Sequence, residues 1–204
     1  YFNKYYNDKF KSNQGVEEIF DLIHRYCPGG RWLDVGCGTT TLFWALMTSN
    51  ISEINCADIY PEALSILNDF IYHNYIPNCY HDIMELYSID KNYFNECKQK
   101  IKKYFVFDAL KEWPEEVLKS KFDLVTQFGV FGLCESEEQY LNCFFSVGKA
   151  LKNGGICIGV NWILSKEYSR DRGVNNCYIS KELIVKACDI YYLSLIEYGE
   201  KIID

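Results

Sequence analysis

Residues 33–41 read LDVGCGTTT. An apolar strand ends in Asp34 and Val35, and Gly36 and Gly38 then bracket Cys37 ahead of three threonines. A glycine-rich turn between a strand and a helix lets backbone approach a ligand closely. The residues around the turn narrow the choice of ligand. A triphosphate-binding loop needs Gly-Lys-Ser/Thr after the turn, and no lysine stands there. A dinucleotide fingerprint places a third glycine where this chain has Thr41, so that match is weak. A sulfonium nucleoside makes a different demand. It carries adenosine and a zwitterionic amino acid without a pyrophosphate, so it needs close backbone at the turn and an acid on the next strand for the ribose hydroxyls.

Outward from the turn, strand and helix patterns alternate. A helical pattern over 15–27 puts Val16, Ile19, Phe20, Ile23 and Cys27 on one face and stops at Pro28-Gly29-Gly30. RWLDVG is the first strand and a helix runs from about Thr40 to Thr48. SEINCAD is the second strand, ending at Asp58, and Pro61 opens the next helix at its favoured first turn. One or two helices fill 80–103. YFVFDA is a third strand ending at Asp108, WPEEVLKS a short helix, and KFDLVTQFGV a fourth strand. Ser136 and Gln139 form a capping box for a helix reaching Leu151. GICIGVNWI is a fifth strand, 180–187 a helix, and IYYLSLIEYG a sixth strand. The alternation predicts an α/β fold: one doubly wound, mostly parallel sheet with helices on both faces, as a single domain over 1–204. In such sheets the ligand sits outside the carboxyl ends of the strands, which singles out Asp34, Asp58, Asp108 and Gln127-Phe128-Gly129.

The whole-chain figures narrow the classes. A length of 204 residues suits one domain with a sizeable core, and 17 tyrosines with 13 phenylalanines exclude disorder. A net charge of −7 argues against a nucleic-acid partner. The basic stretch KQKIKK at 98–103 reads as the solvated end of a helix. The ten cysteines are never closer than nine positions and form no CxxC, so they read as reduced, mostly buried thiols of a cytoplasmic protein. Cys79 and His81 have no second ligand pair, so no metal is expected. No signal peptide or membrane-length apolar run occurs. The working expectation is a monomer without membrane or nucleic-acid partners. The chain begins at Tyr1, and so reads as trimmed or as a fragment.

The motifs together resemble the class I S-adenosylmethionine-dependent methyltransferases. DVGCG is similar to their first motif, Asp58 to their ribose acid, F-D-A at 107–109 to the residues that hold adenine, and LKNGG to the turn before their fifth strand. The amino terminus, Y-F-N-K-Y-Y, followed by an amphipathic helix, resembles more narrowly the nicotinamide, phenylethanolamine and thioether (indolethylamine) N-methyltransferases. So do the inserted helices of 80–104. That resemblance implies an N-terminal cap over 1–14, with Tyr1 and Tyr6 closing on the cofactor's carboxylate. It implies cofactor contacts from Gly36, Cys37, Gly38, Thr40, Asp58, Ile59, Asp108, Ala109 and Phe128. Tyr6, Asn161 and Tyr168 would line the substrate pocket, with Trp162 as a further aromatic wall and Glu167 as a further polar anchor. The implied reaction is in-line methyl transfer from S-adenosyl-L-methionine to the nitrogen of a small amine or N-heterocycle, leaving S-adenosyl-L-homocysteine. No catalytic base is assigned, because a neutral amine needs none.

The chain departs from the family at Leu42 (tyrosine), Ala63 (asparagine), Phe128 (threonine) and Asn161 (the nicotinamide branch's aspartate). It also stops at Asp204, before the family's closing strand. Two alternatives stay open: a cofactor-binding module without turnover, and a methyltransferase acting on a protein or another nucleophile.

Overall fold

The computed structural model describes residues 9–73, 76–163 and 176–203. Five strands form one sheet: β1 (Gly30–Val35), β2 (Ile51–Asp58), β3 (Ile101–Val106), β4 (Phe122–Phe128) and β5 (Leu151–Val160). Their order is β3-β2-β1-β4-β5 and every ladder is parallel. Because the order reverses beside β1, a crevice opens at the carboxyl ends of β1 and β4. The register sets Asp34 between Cys56 of β2 and Thr126 of β4.

Strand periodicity divides the core into two layers. Trp32, Leu124, Ile54, Cys56 and Ile158 point to one face, where they meet α1 (Val16–Tyr26), α2 (Thr41–Ala45), α3 (Pro61–Tyr72), α4 (Asn78–Leu86) and α5 (Lys91–Lys100). Leu33, Val35, Ala57 and Val125 point to the other, against α6 (Glu115–Ser120), α7 (Glu137–Ala150) and α8 (Lys181–Ile190). The first layer is strongly aromatic. Phe20, Phe43, Trp44 and Tyr80 form a chain of ring contacts with centroids 5.2–5.7 Å apart, which joins α1, α2 and α4. Phe10 adds to it by packing on Phe20 and Phe43, and its N–H donates to Asp82 of α4. The chain leading out of the N-terminal segment is thereby fixed beside the glycine turn.

Helix starts follow side-chain chemistry. Ser136 accepts from the Gln139 N–H at 3.2 Å. The reciprocal bond of the expected capping box is shifted by one residue, because Gln139 Oε1 takes the N–H of Glu135 rather than that of Ser136. Gln139 Nε2 also donates to Leu110 O, which joins α7 to the loop after β3. Ser136→Ala should cost about 1 kcal/mol, read as a drop in unfolding free energy with the cooperativity unchanged.

Four expectations need correction. β3 starts at Ile101, immediately after α5, and ends at Val106, so Asp108 lies two residues past the strand. KQKIKK is therefore only half helix end. Within it Lys98 is buried, its ammonium donating to the His73 carbonyl at the end of α3 and lying over Phe94. The helix expected over Thr40–Thr48 is a single turn ending at Ala45. The expected sixth strand, 190–199, is absent: α8 runs on to Ile190, and no strand follows among the described residues. Side chains direct this tail across α1 instead. Glu197 receives Arg25 and the Tyr26 hydroxyl, and Lys201 pairs with Glu18.

Candidate functional site

The two glycines of the turn do different work. Both have left-handed backbone, with φ of 64° at Gly36 and 53° at Gly38. A Cβ on Gly36 would lie 2.6 Å from Val130 Cβ, so this glycine lets the segment after β4 close on the turn. A Cβ on Gly38 would meet nothing within 4 Å, so the second glycine faces open space.

Backbone and threonine hydroxyls brace the turn from below. Cys37 N–H donates to Ala57 O, and both the N–H and the hydroxyl of Thr40 donate to Cys37 O. The Thr40 oxygen also receives the Trp44 indole N–H. Thr41 donates to Asp34 at 2.7 Å, and Thr126 donates to the other Asp34 oxygen at 2.6 Å while receiving the Trp32 indole N–H. Asp34 is thus the centre of a closed, buried polar chain. Burial pushes its carboxyl up to about 7 against the pull of the two hydroxyls, and the nearby Asp58 charge adds to the rise. Cys37 is buried too, with its thiol pushed well above the ordinary range by a hydrogen bond with the free thiol of Cys56 and by burial. Its side chain belongs to the core.

Asp58, the last residue of β2, curls back to the turn. One oxygen accepts the Gly38 N–H at 2.8 Å and the other the Tyr60 N–H at 2.9 Å. Ile59 beside it is 48% exposed, an apolar face beside the acid. Just past the next strand along, β3, Asp108 accepts the Leu110 N–H at 3.0 Å and pairs with Lys111, and Ala109 is buried with its carbonyl receiving the Trp113 indole. Phe128, at the end of β4, lies against Trp44 with ring centroids 4.8 Å apart.

Beyond β4 the loop is packed through small residues. A Cβ on Gly129 would collide with the Trp162 ring at 2.8 Å. Asn161 gives its amide N–H to the Tyr140 hydroxyl at 3.4 Å, and its carbonyl oxygen is buried with no partner among the described residues. Asn176 donates to both Gly132 O and Trp162 O, and Tyr178 donates to Cys134 O. These bonds fix the wall that carries Asn161. Leu42 is in the core, where no polar atom is offered to a ligand. Tyr1, Tyr6, Glu167 and Tyr168 lie outside the described residues.

The structure therefore brings Gly38, Asp58, Ile59, Asp108, Phe128 and Asn161 to one edge of the sheet. It turns the side chains of Cys37 and Thr40 away from that edge. Sequence reasoning missed Thr41, whose hydroxyl turns back to Asp34 seven residues earlier, and Thr126, Tyr140 and Asn176, whose parts depend on contacts distant in the chain. Among the described residues no group of three His, Cys, Asp or Glu is placed to hold a metal, and no helix is long and apolar enough to cross a membrane.

A parallel sheet of this order, with a glycine turn after β1 and acids after β2 and β3, is the fold of the class I S-adenosylmethionine-dependent methyltransferases. Residues 1–195 match the NNMT/PNMT/TEMT family, and the chain belongs to it. S-adenosylmethionine is the cofactor of that family. Among solved structures the chain is similar in fold to the MccD protein (16% identity, 89% of this chain, 72% of that one, TM-score 0.56). It is similar also to the N-methyltransferase NodS from Bradyrhizobium japonicum WM9 (14% identity, 85% and 78%, TM-score 0.55). It spans about half the length of several others, such as 51% of DesVI from Streptomyces venezuelae (17% identity, 74% of this chain, TM-score 0.48). No curated protein matches the sequence.

Proposed function

We propose that the chain transfers a methyl group from S-adenosylmethionine to the nitrogen of a small amine or N-heterocycle. The observation that carries the reading is the pairing of Asp58 with the Gly38 N–H, which sets a carboxylate beside an open glycine turn. The cofactor supplies a methyl group already activated by its sulfonium, so the chain need only bind, orient and exclude water. Asp58 would hold the ribose hydroxyls, Ile59 the apolar side of the nucleoside, and Asp108 with Ala109 the adenine edge. Gly36, Gly38 and the backbone of Cys37 and Thr40 would shape the cradle, with Tyr1 and Tyr6 as its lid. The fit is good on one test: the only glycine of the turn that could take a Cβ without a clash is the one facing the proposed ligand.

On the acceptor side, Phe128 and Trp162 would form aromatic walls, with Tyr6 and Tyr168 completing the pocket. The Asn161 amide oxygen, without a partner among the described residues, would accept a hydrogen bond from an N–H of the acceptor. Transfer to the acceptor's nitrogen lone pair would leave the electrons of the broken carbon–sulfur bond on sulfur; an amine bearing an N–H would then lose a proton to water, and a ring nitrogen without one would keep the positive charge. Alignment alone can lower such a barrier by up to about 7–11 kcal/mol. No base is required of the protein.

A labelled-methyl screen over small amines and N-heterocycles tests the reading. A cofactor-binding chain that methylates no member would replace it with a binding module. Once an acceptor is found, Asn161→Leu should raise its KM about tenfold and leave S-adenosylhomocysteine affinity unchanged. Asn161→Asp should shift the kcat/KM ratio towards cationic amines.

A further inference from the structure

Two thiols that the proposed reaction does not use meet in the second core layer. Cys134 closes the short turn Phe131–Leu133 after β4, and Cys143 lies on α7 nine positions later. Both are buried, and their sulfurs are 3.7 Å apart without a disulfide between them. Neighbouring groups hold this contact. The Cys134 N–H donates to Phe131 O, and its carbonyl receives the Tyr178 hydroxyl at 2.6 Å. The Cys143 sulfur faces the Ala109 carbonyl at 3.7 Å. The two S–H groups can therefore run in series, Cys134 donating to Cys143 and Cys143 to Ala109 O. When Cys134 loses its proton, Cys143 turns its own S–H to the new thiolate. That bond holds the Cys134 thiol below its ordinary value and, with burial, drives Cys143 far above it. Cys134 is thus the nucleophile of the pair and Cys143 the proton holder.

We propose that Cys134 and Cys143 are a redox modification site, which a peroxide converts to a disulfide and a thiol reductant restores. Leu133 and Glu135, on either side of Cys134, are exposed, so a small oxidant has a short path to the sulfurs. The Cys134 thiolate attacks a peroxide oxygen, the O–O bond breaks, and hydroxide leaves with the electron pair, giving a sulfenic acid. The Cys143 sulfur then attacks the Cys134 sulfur. The S–S bond forms as the S–O bond breaks, and the departing hydroxide takes the Cys143 proton as water. Two thiols lose two electrons in all, and one hydrogen peroxide becomes two waters. The bridge reaches the candidate site by two routes. It removes the S–H that Cys143 gives to Ala109 O, beside the proposed adenine edge. It also draws the sulfurs from 3.7 Å to about 2 Å, pulling on a turn whose first neighbour, Val130, packs against Gly36. Both routes disturb a seat shaped in the reduced state, so oxidation should weaken cofactor binding. That consequence rests on the cofactor reading; the disulfide does not.

Peptide mass mapping tests the site on the wild-type chain. Residues 122–149 hold no lysine or arginine before Lys149, so one tryptic peptide carries both thiols. The folded, reduced chain is treated with hydrogen peroxide, alkylated and digested. This peptide should appear unalkylated and two hydrogens lighter, and dithiothreitol before alkylation should restore both thiols. Cys143→Ser should stop at a sulfenic acid on Cys134 that dimedone traps, whereas Cys134→Ser should give no trapped Cys143. By calorimetry, S-adenosylhomocysteine affinity should fall about fivefold or more on oxidation and return with dithiothreitol. The double serine variant should show no such fall. A peptide that stays fully alkylated, or a bridge from either thiol to another cysteine, would overturn the site. A bridged chain with unchanged affinity, or an equal fall in the double variant, would overturn its link to the cofactor. If the reduced chain binds no S-adenosylhomocysteine, the cofactor reading fails, and the mass map alone decides the site.

Discussion

Asp58→Ala is expected to remove measurable binding of S-adenosylhomocysteine while the chain still folds. In the proposed complex the carboxylate meets two ribose hydroxyls, and hydrogen bonds to a charged group contribute roughly 1.5–3 kcal/mol each. Losing two corresponds to an affinity drop of about 100-fold to 10,000-fold. The variant also strips an acceptor from the Gly38 and Tyr60 N–H groups, so a modest loss of stability, about 1–2 kcal/mol, should accompany it. That second effect matters for interpretation, because a loosened turn could weaken binding indirectly. Asp58→Asn separates the two: its amide oxygen can keep the bond to Gly38, so stability should recover more than affinity does. Calorimetry reads the affinity, and circular dichroism with thermal unfolding reads the fold. Wild-type affinity in a folded alanine variant would refute the ribose assignment.

The parts of this architecture that could be read from the sequence are those with local causes. β1, β2 and β4 lie inside a parallel sheet covered on both faces, so each is a short apolar run closed by an acid or a glycine. Their ends, and with them Asp34, Asp58 and Phe128, were therefore readable. β3 is an edge strand with Lys102 and Lys103 exposed, and those charges disguise its first half as the end of a helix. IYYLSLIEYG has strand-forming residues, but propensity does not choose a partner. Pairs from Arg25 and Lys201 hold its latter part and the residues beyond it across α1, and Tyr192 is left almost fully exposed. The site divides in the same way. Its glycines and acids are a spacing pattern, whereas Asn176 reaches Gly132 across 44 positions. Of the three adjacent threonines, Thr39 is the one whose hydroxyl has no partner among the described residues, and nothing in TTT distinguishes it from the other two.

The polar chain under the turn carries the second large prediction, a dependence of stability on pH. Asp34 has a folded value of about 7 against an ordinary 3.8, so between those values the folded state keeps a proton that the unfolded state has released. The folded state then binds more protons, and raising the pH favours unfolding. The stabilisation is complete below about pH 4 and is lost as the pH passes 7. At 1.36 kcal/mol per unit, the loss is on the order of 4 kcal/mol. Other carboxylates act in a separate window. Glu197 is held down to about 2 by Arg25 and then Tyr26, Glu18 is lowered by Lys201, and Glu53 by Arg31. Their contributions are gained as the pH rises and are complete by about 5. Denaturant unfolding at fixed pH should therefore show stability rising to about pH 5 and declining towards pH 7.5. Asp34→Asn keeps the shape of the side chain and has no proton to release, so its curve should lose the decline and keep the rise. A wild-type curve flat from pH 5 to 7.5, or an equal decline in the asparagine variant, would show that another group governs this range. The same carboxyl is bonded to Thr41, two residues from Thr39, and to Thr126 of β4. Its ionisation therefore acts on the strands that hold the turn open, and cofactor affinity measured across this range should change in the wild type and stay level in the asparagine variant.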